Sequence, residues 1–288
     1  MEVLNVNNLW KNYPTFSLQD VSFSVPYGSI VGFIGRNGAG KTTTLKCIYG
    51  LVHADKGEVL FDSKSIAGNE IAVKNDIGLV FGGFEFYLQK KLKTLKDVVS
   101  RFYPNWDDKS YDHWMKLFAL DENKRMKELS NGMKVKFSLA LALSHHAKLL
   151  LLDEPTSGLD PISRDELLDA FLEIVSDGEH SILFSTHVIS DLERCADHLV
   201  YIRQGKIIFN GMAKTFKDSY RYCEFNQGDL NSDETGDVLH CRHRGDVILG
   251  LVKPDSPLLS KAVIERKASM EETMLALERG ESDESFDI

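Results

Sequence analysis

The stretch Gly35-Arg36-Asn37-Gly38-Ala39-Gly40-Lys41-Thr42 sets its glycines ahead of a lysine and a threonine, a composition suited to holding phosphate groups. Glycines let successive backbone N–H groups turn inward with no Cβ in the way, and a helix that starts at the lysine adds its positive N-terminal end. Lys41 is then the residue to reach the β- and γ-phosphates of a nucleotide, and the Thr42 hydroxyl the one to take a place on Mg²⁺. Farther along, Leu149-Leu150-Leu151-Leu152-Asp153-Glu154-Pro155 ends an apolar run in two carboxylates. Asp153 suits a metal, held directly or through water, and Glu154, one residue on, can point at an attacking water. His187 closes a third apolar run, Ser181-Ile182-Leu183-Phe184-Ser185-Thr186, where it could contact a γ-phosphate. The plain alternatives are a glycine-rich surface turn, a solvated acidic turn and a structural histidine. Against the first stands the order of strand, loop and helix around Gly35 to Thr42.

The elements that must position these residues read as an α/β chain. Ile30-Val31-Gly32-Phe33-Ile34 and Leu149 to Leu152 are continuous apolar runs of strand length, as expected of parallel strands buried on both faces, whose C-terminal tips face the ligand crevice. From Leu4 to Val25 the pattern alternates, with Val21, Phe23 and Val25 opposite Ser22 and Ser24, which predicts a half-exposed sheet. Between these strands Trp10 to Phe16 reads as an aromatic turn. There Tyr13 could stack on an adenine ring or pack in the core. Lys93 to Ala147 looks helical, with Trp114, Leu117, Phe118, Phe137, Leu139, Ala140 and Leu143 at helical spacing. Within it, Leu129-Ser130-Asn131-Gly132-Met133 reads locally as a helix start capped by Ser130. Just ahead, Gly82-Gly83-Phe84-Glu85-Phe86-Tyr87-Leu88 is a glycine-hinged aromatic loop that can serve a subdomain core, a docking groove or both. Leu199 to Ile202 and Lys206 to Phe209 predict a hairpin, and past Gly211 the chain becomes more polar, with a soft boundary near Phe216. Two or three strands are expected there, the clearest Asp246 to Val252, then a helix through Met270, Met274 and Leu277 and a frayed acidic end from Glu281 to Ile288.

Length and charge narrow the function classes. The 288 residues suit one large domain or a domain with a small appendage, and a net charge of −9 argues against a phosphate-backbone binder, so no nucleic-acid partner is expected. Cys47, Cys195, Cys223 and Cys241 form no paired motif, which fits reduced thiols rather than a disulfide frame or a zinc site. The first residues lack the basic-then-apolar signature of a signal peptide, and no apolar run reaches the roughly 18 residues of a membrane span, so any membrane role is expected to be peripheral.

Taken together, Gly35 to Thr42, Leu129 to Met133, Leu149 to Glu154, Ser157-Gly158-Leu159-Asp160 and His187 resemble the ATP-binding-cassette ATPases in order and spacing, over about residues 1–214. The resemblance implies a P-loop NTPase core with an antiparallel β subdomain, an inserted α-helical subdomain at about 87–147, and a small α+β appendage over 215–288. It also revises the reading of Ser130. The segment resembles the family signature LSGGQ, with Asn131 in place of a glycine and Met133 in place of glutamine. In that family the segment closes over nucleotide held by the opposite subunit, which implies a two-fold, head-to-tail homodimer around two ATP molecules. Carried over residue by residue, Tyr13 looks like the adenine-stacking aromatic. Gly35, Asn37, Gly38, Ala39, Gly40, Lys41, Thr42 and Thr43 look like the phosphate and Mg²⁺ contacts, and Ser130 and Gly132 like the contribution to the partner's nucleotide. Asp153 resembles the metal aspartate, Glu154 the catalytic base, Asp160 the dimer-contact aspartate and His187 the switch histidine.

One departure stands out: Gly82 occupies the position where the family usually has a glutamine linking Mg²⁺ and water to the membrane-facing surface. A water, Glu85 or a slower reaction would have to make up for it. The expected function is therefore an ATP-hydrolysing subunit at the cytoplasmic face of a membrane, moving a separate transmembrane permease. The single cassette and short appendage are similar to bacterial exporters of peptides or antibiotics. The alternative is a regulatory or soluble cassette that binds ATP with little turnover.

Overall fold

The computed structural model describes residues 1–81 and 87–279, and the chain divides into two compact units, Met1–Asn210 and Gly211–Ile288. The expected hinge residues Gly82, Gly83, Phe84, Glu85 and Phe86, and the acidic end from Glu281, lie outside the described residues.

In the first unit, β1 (Glu2–Tyr13) and β2 (Phe16–Pro26) form a long hairpin, and β3 (Ile30–Ile34) leads through the glycine loop into α1 (Lys41–Ile48). Next come β4 (Lys56–Phe61), the short β5 (Lys64–Ser65), α2 (Glu70–Asn75) and β6 (Ile77–Phe81). The helical segment holds α3 (Leu92–Val99), α4 (Asp108–Leu117) and α5 (Asn131–Leu143). The chain then alternates through β7 (Leu149–Asp153), α6 (Pro161–Val175), β8 (Ser181–Thr186), α7 (Ile189–Cys195), β9 (His198–Arg203) and β10 (Lys206–Met212).

These strands make two sheets, one ordered β2-β1-β4-β5 and antiparallel, the other ordered β10-β9-β3-β8-β7-β6 with parallel pairing from β9 to β6. The order explains the apolar runs: β3, β7 and β8 are central, so both faces are covered, and Leu149, Leu150, Leu151 and Leu152 are each 0% exposed. The antiparallel sheet lays Val6, Val21, Phe23 and Val25 on the same core as Val31, Phe33, Leu149 and Leu151, with the Phe23 and Phe33 rings 5.4 Å apart. Gln204 and Gly205, both at positive φ, make the tight turn of the expected β9–β10 hairpin.

Trp10 to Tyr13 is strand rather than turn. The β1–β2 hairpin turns only at Pro14 and Thr15, and β1 carries register irregularities on both of its partners. Partner pairing on two sides, Trp10 with Lys56 and Tyr13 with Phe16, holds these residues extended where local composition suggested a loop.

Beyond Gly211, α8 (Ala213–Lys217), β11 (Arg221–Asn226), α9 (Ser232–Gly236), β12 (Leu239–Arg244), β13 (Val247–Val252), β14 (Ile264–Lys267) and α10 (Met270–Arg279) follow. Among the described residues, four strands in the order β12-β13-β11-β14 replace the two or three expected. Cys223, Phe225, Val238, Ile248 and Val252 form one cluster of this unit, and Leu251, Ala268 and Ala276 another. The α10 helix begins with a reciprocal cap: Ser269 Oγ accepts from the Glu272 amide, and the Glu272 carboxylate accepts from the Ser269 amide. The Arg266 guanidinium, bonded to both oxygens of Glu272 at 2.8 and 2.5 Å, holds that carboxyl down at about 2.

Candidate active site

Parallel pairing in the order β3-β8-β7 brings three strand tips side by side, with Ile34 level with Thr186 and Asp153 level with Ser185. The loop from Gly35, the carboxylates Asp153 and Glu154, and His187 therefore meet at one edge although more than a hundred residues separate the loop from the others in sequence.

Backbone geometry explains the loop's glycines at two positions. A Cβ at Gly35 would stand 2.4 Å from the Ile202 carbonyl oxygen. Gly40, at φ 117°, caps α1 with its Cα side against Leu18 and Phe16. Phe16 faces Tyr13 across the hairpin, so the hairpin end abuts the loop; Tyr13 is 43% exposed there, with the Lys11 ammonium 5.7 Å from its ring centroid. Asn37 and Gly38 lie exposed at the loop's crest, Ala39 is buried beneath it, and Thr43 is half-buried on the first turn of α1.

Lys41 turns back under the loop. Its Nζ donates to the Gly35 carbonyl at 2.7 Å and pairs with Glu154 Oε1 at 3.1 Å. The other Glu154 oxygen, Oε2, lies 2.7 Å from His187 Nδ1. A carboxylate only accepts, so Nδ1–H is the donor. Glu154 itself adopts φ 50°, a left-handed conformation unusual for a non-glycine residue, held by its amide bonding to Ser185.

Thr42 Oγ1 donates to Asp153 Oδ2 at 2.8 Å, and Ser185 Oγ donates to Asp153 Oδ1 at 2.6 Å. A hydroxyl and a carboxylate oxygen in contact at the mouth of the loop are the hard oxygen donors that suit Mg²⁺. The residues present thus fit a divalent cation beside bound phosphates.

The structure brings Lys41, Thr42, Asp153, Glu154 and His187 together, and Ser130 and Gly132 make their contacts with α5 and around the start of α6. Ser130 caps α5 by accepting from the Met133 amide at 3.2 Å, and a Cβ on Gly132 would meet Ser163 and Leu159. Asp160 caps the neighbouring α6 through the Ile162 and Ser163 amides, and hydrogen bonding from Ser163 lowers its carboxyl below the usual value. Both caps sit at the start of helices that pack on one another, so the signature segment and Asp160 share one surface.

Two features were not singled out from sequence. Ser185 joins Asp153 to the Glu154 backbone, and the fully buried Asp191 accepts from Thr156 Oγ1 at 2.7 Å and from the Arg164 guanidinium. The latter set ties the turn after Glu154 to the helix after His187. A serine within an apolar strand is the one signal that could have flagged Ser185.

Comparison with known proteins matches residues 18–157 to a family model described as ABC transporter. The chain is 34% identical to the ABC transporter ATP-binding protein YtrB of Bacillus subtilis (strain 168), over 66% of this chain and 65% of that one. It is 31% identical to the phosphonates import ATP-binding protein PhnC of Treponema denticola, over 81% of this chain and 98% of the relative. With the bacitracin transport ATP-binding protein BcrA of Bacillus licheniformis it shares 29%, over 80% and 76%. A solved ATP-binding subunit of an ABC transporter superposes with a TM-score of 0.67 at 26% identity, covering 75% of this chain and 92% of that one.

Proposed function

The chain belongs to the ABC transporter family as one of its cassette ATPases, and from that premise we propose that it hydrolyses ATP to drive a separate transmembrane permease that exports a peptide or antimicrobial compound. The observation that carries the hydrolytic reading is Glu154, one residue past Asp153, with Lys41 on one carboxylate oxygen and His187 on the other. The bacitracin-transport relative supports the choice of cargo class, whereas the phosphonate-import relative supports only an ATP-binding subunit of a transporter.

In the proposed reaction the loop amides and Lys41 bind the β- and γ-phosphates and offset the charge that grows on the transferred group. Thr42 and Asp153 would hold Mg²⁺, which supplies further charge neutralisation on the phosphates. Glu154 accepts the proton of the attacking water. His187 fixes the direction of that carboxylate through Nδ1. Tyr13, exposed at the hairpin end beside the loop, is the surface for the adenine ring.

Ser130 and Asp160 lie exposed at the starts of two packed helices, with Gly132 against Ser163 between them, which suits a role against nucleotide held by a second copy. Two chains in a head-to-tail arrangement would complete two sites. Among the described residues no helix is long and apolar enough to cross a membrane, so contact with the bilayer is proposed to run through the permease at the cytoplasmic face. Light scattering of Glu154→Gln with and without Mg-ATP tests the dimer. The expected mass doubles with nucleotide, and a mass that stays monomeric at saturating Mg-ATP contradicts it.

A further inference from the structure

Strand β8 is apolar through Ile182, Leu183 and Phe184 and polar at both ends, and Ser185 near its C-terminal end is 0% exposed. A hydroxyl buried in that way is costly unless both its donor and its acceptor capacity are used. Ser185 uses both at the tip of the neighbouring strand β7: Oγ–H donates to Asp153 Oδ1 at 2.6 Å, and Oγ accepts the Glu154 amide at 3.0 Å. Parallel register brings the two within reach, because Asp153 and Ser185 are directly paired across β7 and β8.

Two constraints follow. The Asp153 carboxylate is clamped between hydroxyls from opposite sides, Thr42 on Oδ2 and Ser185 on Oδ1. Were Thr42 to turn its hydroxyl toward a cation, the Ser185 bond would still hold Oδ1 of Asp153. The Glu154 amide, meanwhile, is held by both the hydroxyl and the carbonyl of Ser185, which fixes the left-handed backbone that aims its carboxylate between Lys41 and His187.

We propose that Ser185 is the positioning residue of this site, setting both the affinity of Asp153 for a divalent cation and the aim of Glu154. The inference rests on the ATPase reading above but makes a separate demand, since it concerns metal binding as well as turnover. A residue that merely filled space would be replaced by alanine or cysteine with no change in metal dependence.

The test compares Ser185→Ala, Ser185→Cys and Ser185→Thr in the full chain, with Mn²⁺ as a spectroscopic probe in the presence of a non-hydrolysable ATP analogue. Loss of one hydrogen bond to a charged group predicts a rise of about tenfold in the Mn²⁺ concentration for half-saturation in Ser185→Ala. Analogue binding without metal and the melting temperature of Ser185→Cys stay near wild type. Phosphate release at saturating Mg²⁺ falls by roughly tenfold in kcat with KM for ATP within about twofold, and Ser185→Thr, which keeps the hydroxyl, recovers both. Wild-type Mn²⁺ dependence in Ser185→Ala overturns the proposal. So does loss of fold in both Ser185→Ala and Ser185→Cys, which would make the role structural. Absence of phosphate release from the wild-type chain would remove the ATPase reading, while the Mn²⁺ titration would still decide the role of Ser185.

Discussion

His187 donates from Nδ1 to Oε2 of Glu154 across 2.7 Å, joining the tips of two adjacent parallel strands. The bond gives the carboxylate a fixed direction at its second oxygen, so removing the imidazole should leave nucleotide binding largely intact and impair chemistry. For His187→Ala we expect kcat for phosphate release to fall on the order of ten- to a hundredfold, with KM for ATP changed by less than about threefold. A KM effect with unchanged kcat would place His187 in binding alone.

A second prediction concerns pH and lies away from the site. His145 is 2% exposed, its ring stacks on Tyr103 with centroids 3.7 Å apart, and its Nδ1–H donates to the Asn75 carbonyl at 2.9 Å. Burial pushes this imidazole down to about 4 from the ordinary 6.5. The unfolded chain therefore takes up the proton first. Stability is fully present above pH 6.5 and is lost as pH falls toward 4, by at most about 3 kcal/mol from this group. Urea unfolding followed between pH 7.5 and 4.5 should show a shallower acid loss for His145→Phe than for wild type. Identical acid limbs would contradict the assignment.

The proposed docking of the permease rests on exposed apolar groups of the helical segment, where Tyr87 is 70% exposed, Val98 50% and Phe102 74%. Tyr87→Ala with Phe102→Ala should lower co-purification with the permease several-fold and leave ATP-analogue binding at wild-type affinity. Undiminished co-purification would exclude this face.

Much of this geometry is legible in the residues themselves, and the exceptions share a cause. A strand buried on both faces needs a continuous apolar run, so Leu149 to Leu152 announce themselves, and the glycine spacing before Lys41 does the same for the loop. Ser185 does not, because only the register that pairs it with Asp153 gives it a role. Asp191 is hidden for a similar reason: Thr156 and Arg164 reach it from a different helix and turn. In the second unit, β12 and β14 are edge strands whose residues are mostly exposed, so their alternation is weak and fewer strands are expected than form. Trp10 to Tyr13 is extended through pairing that local composition does not show, with Lys56 of β4 at Trp10 and with β2 from Lys11 to Tyr13.

The central claim is that Glu154 activates water for ATP hydrolysis, and steady-state phosphate release by the purified full chain tests it most directly. With Mg-ATP the wild-type protein should turn over, and Glu154→Gln should bind Mg-ATP but release phosphate at least about a hundredfold more slowly. Hydrolysis by Glu154→Gln at the wild-type rate would contradict the account.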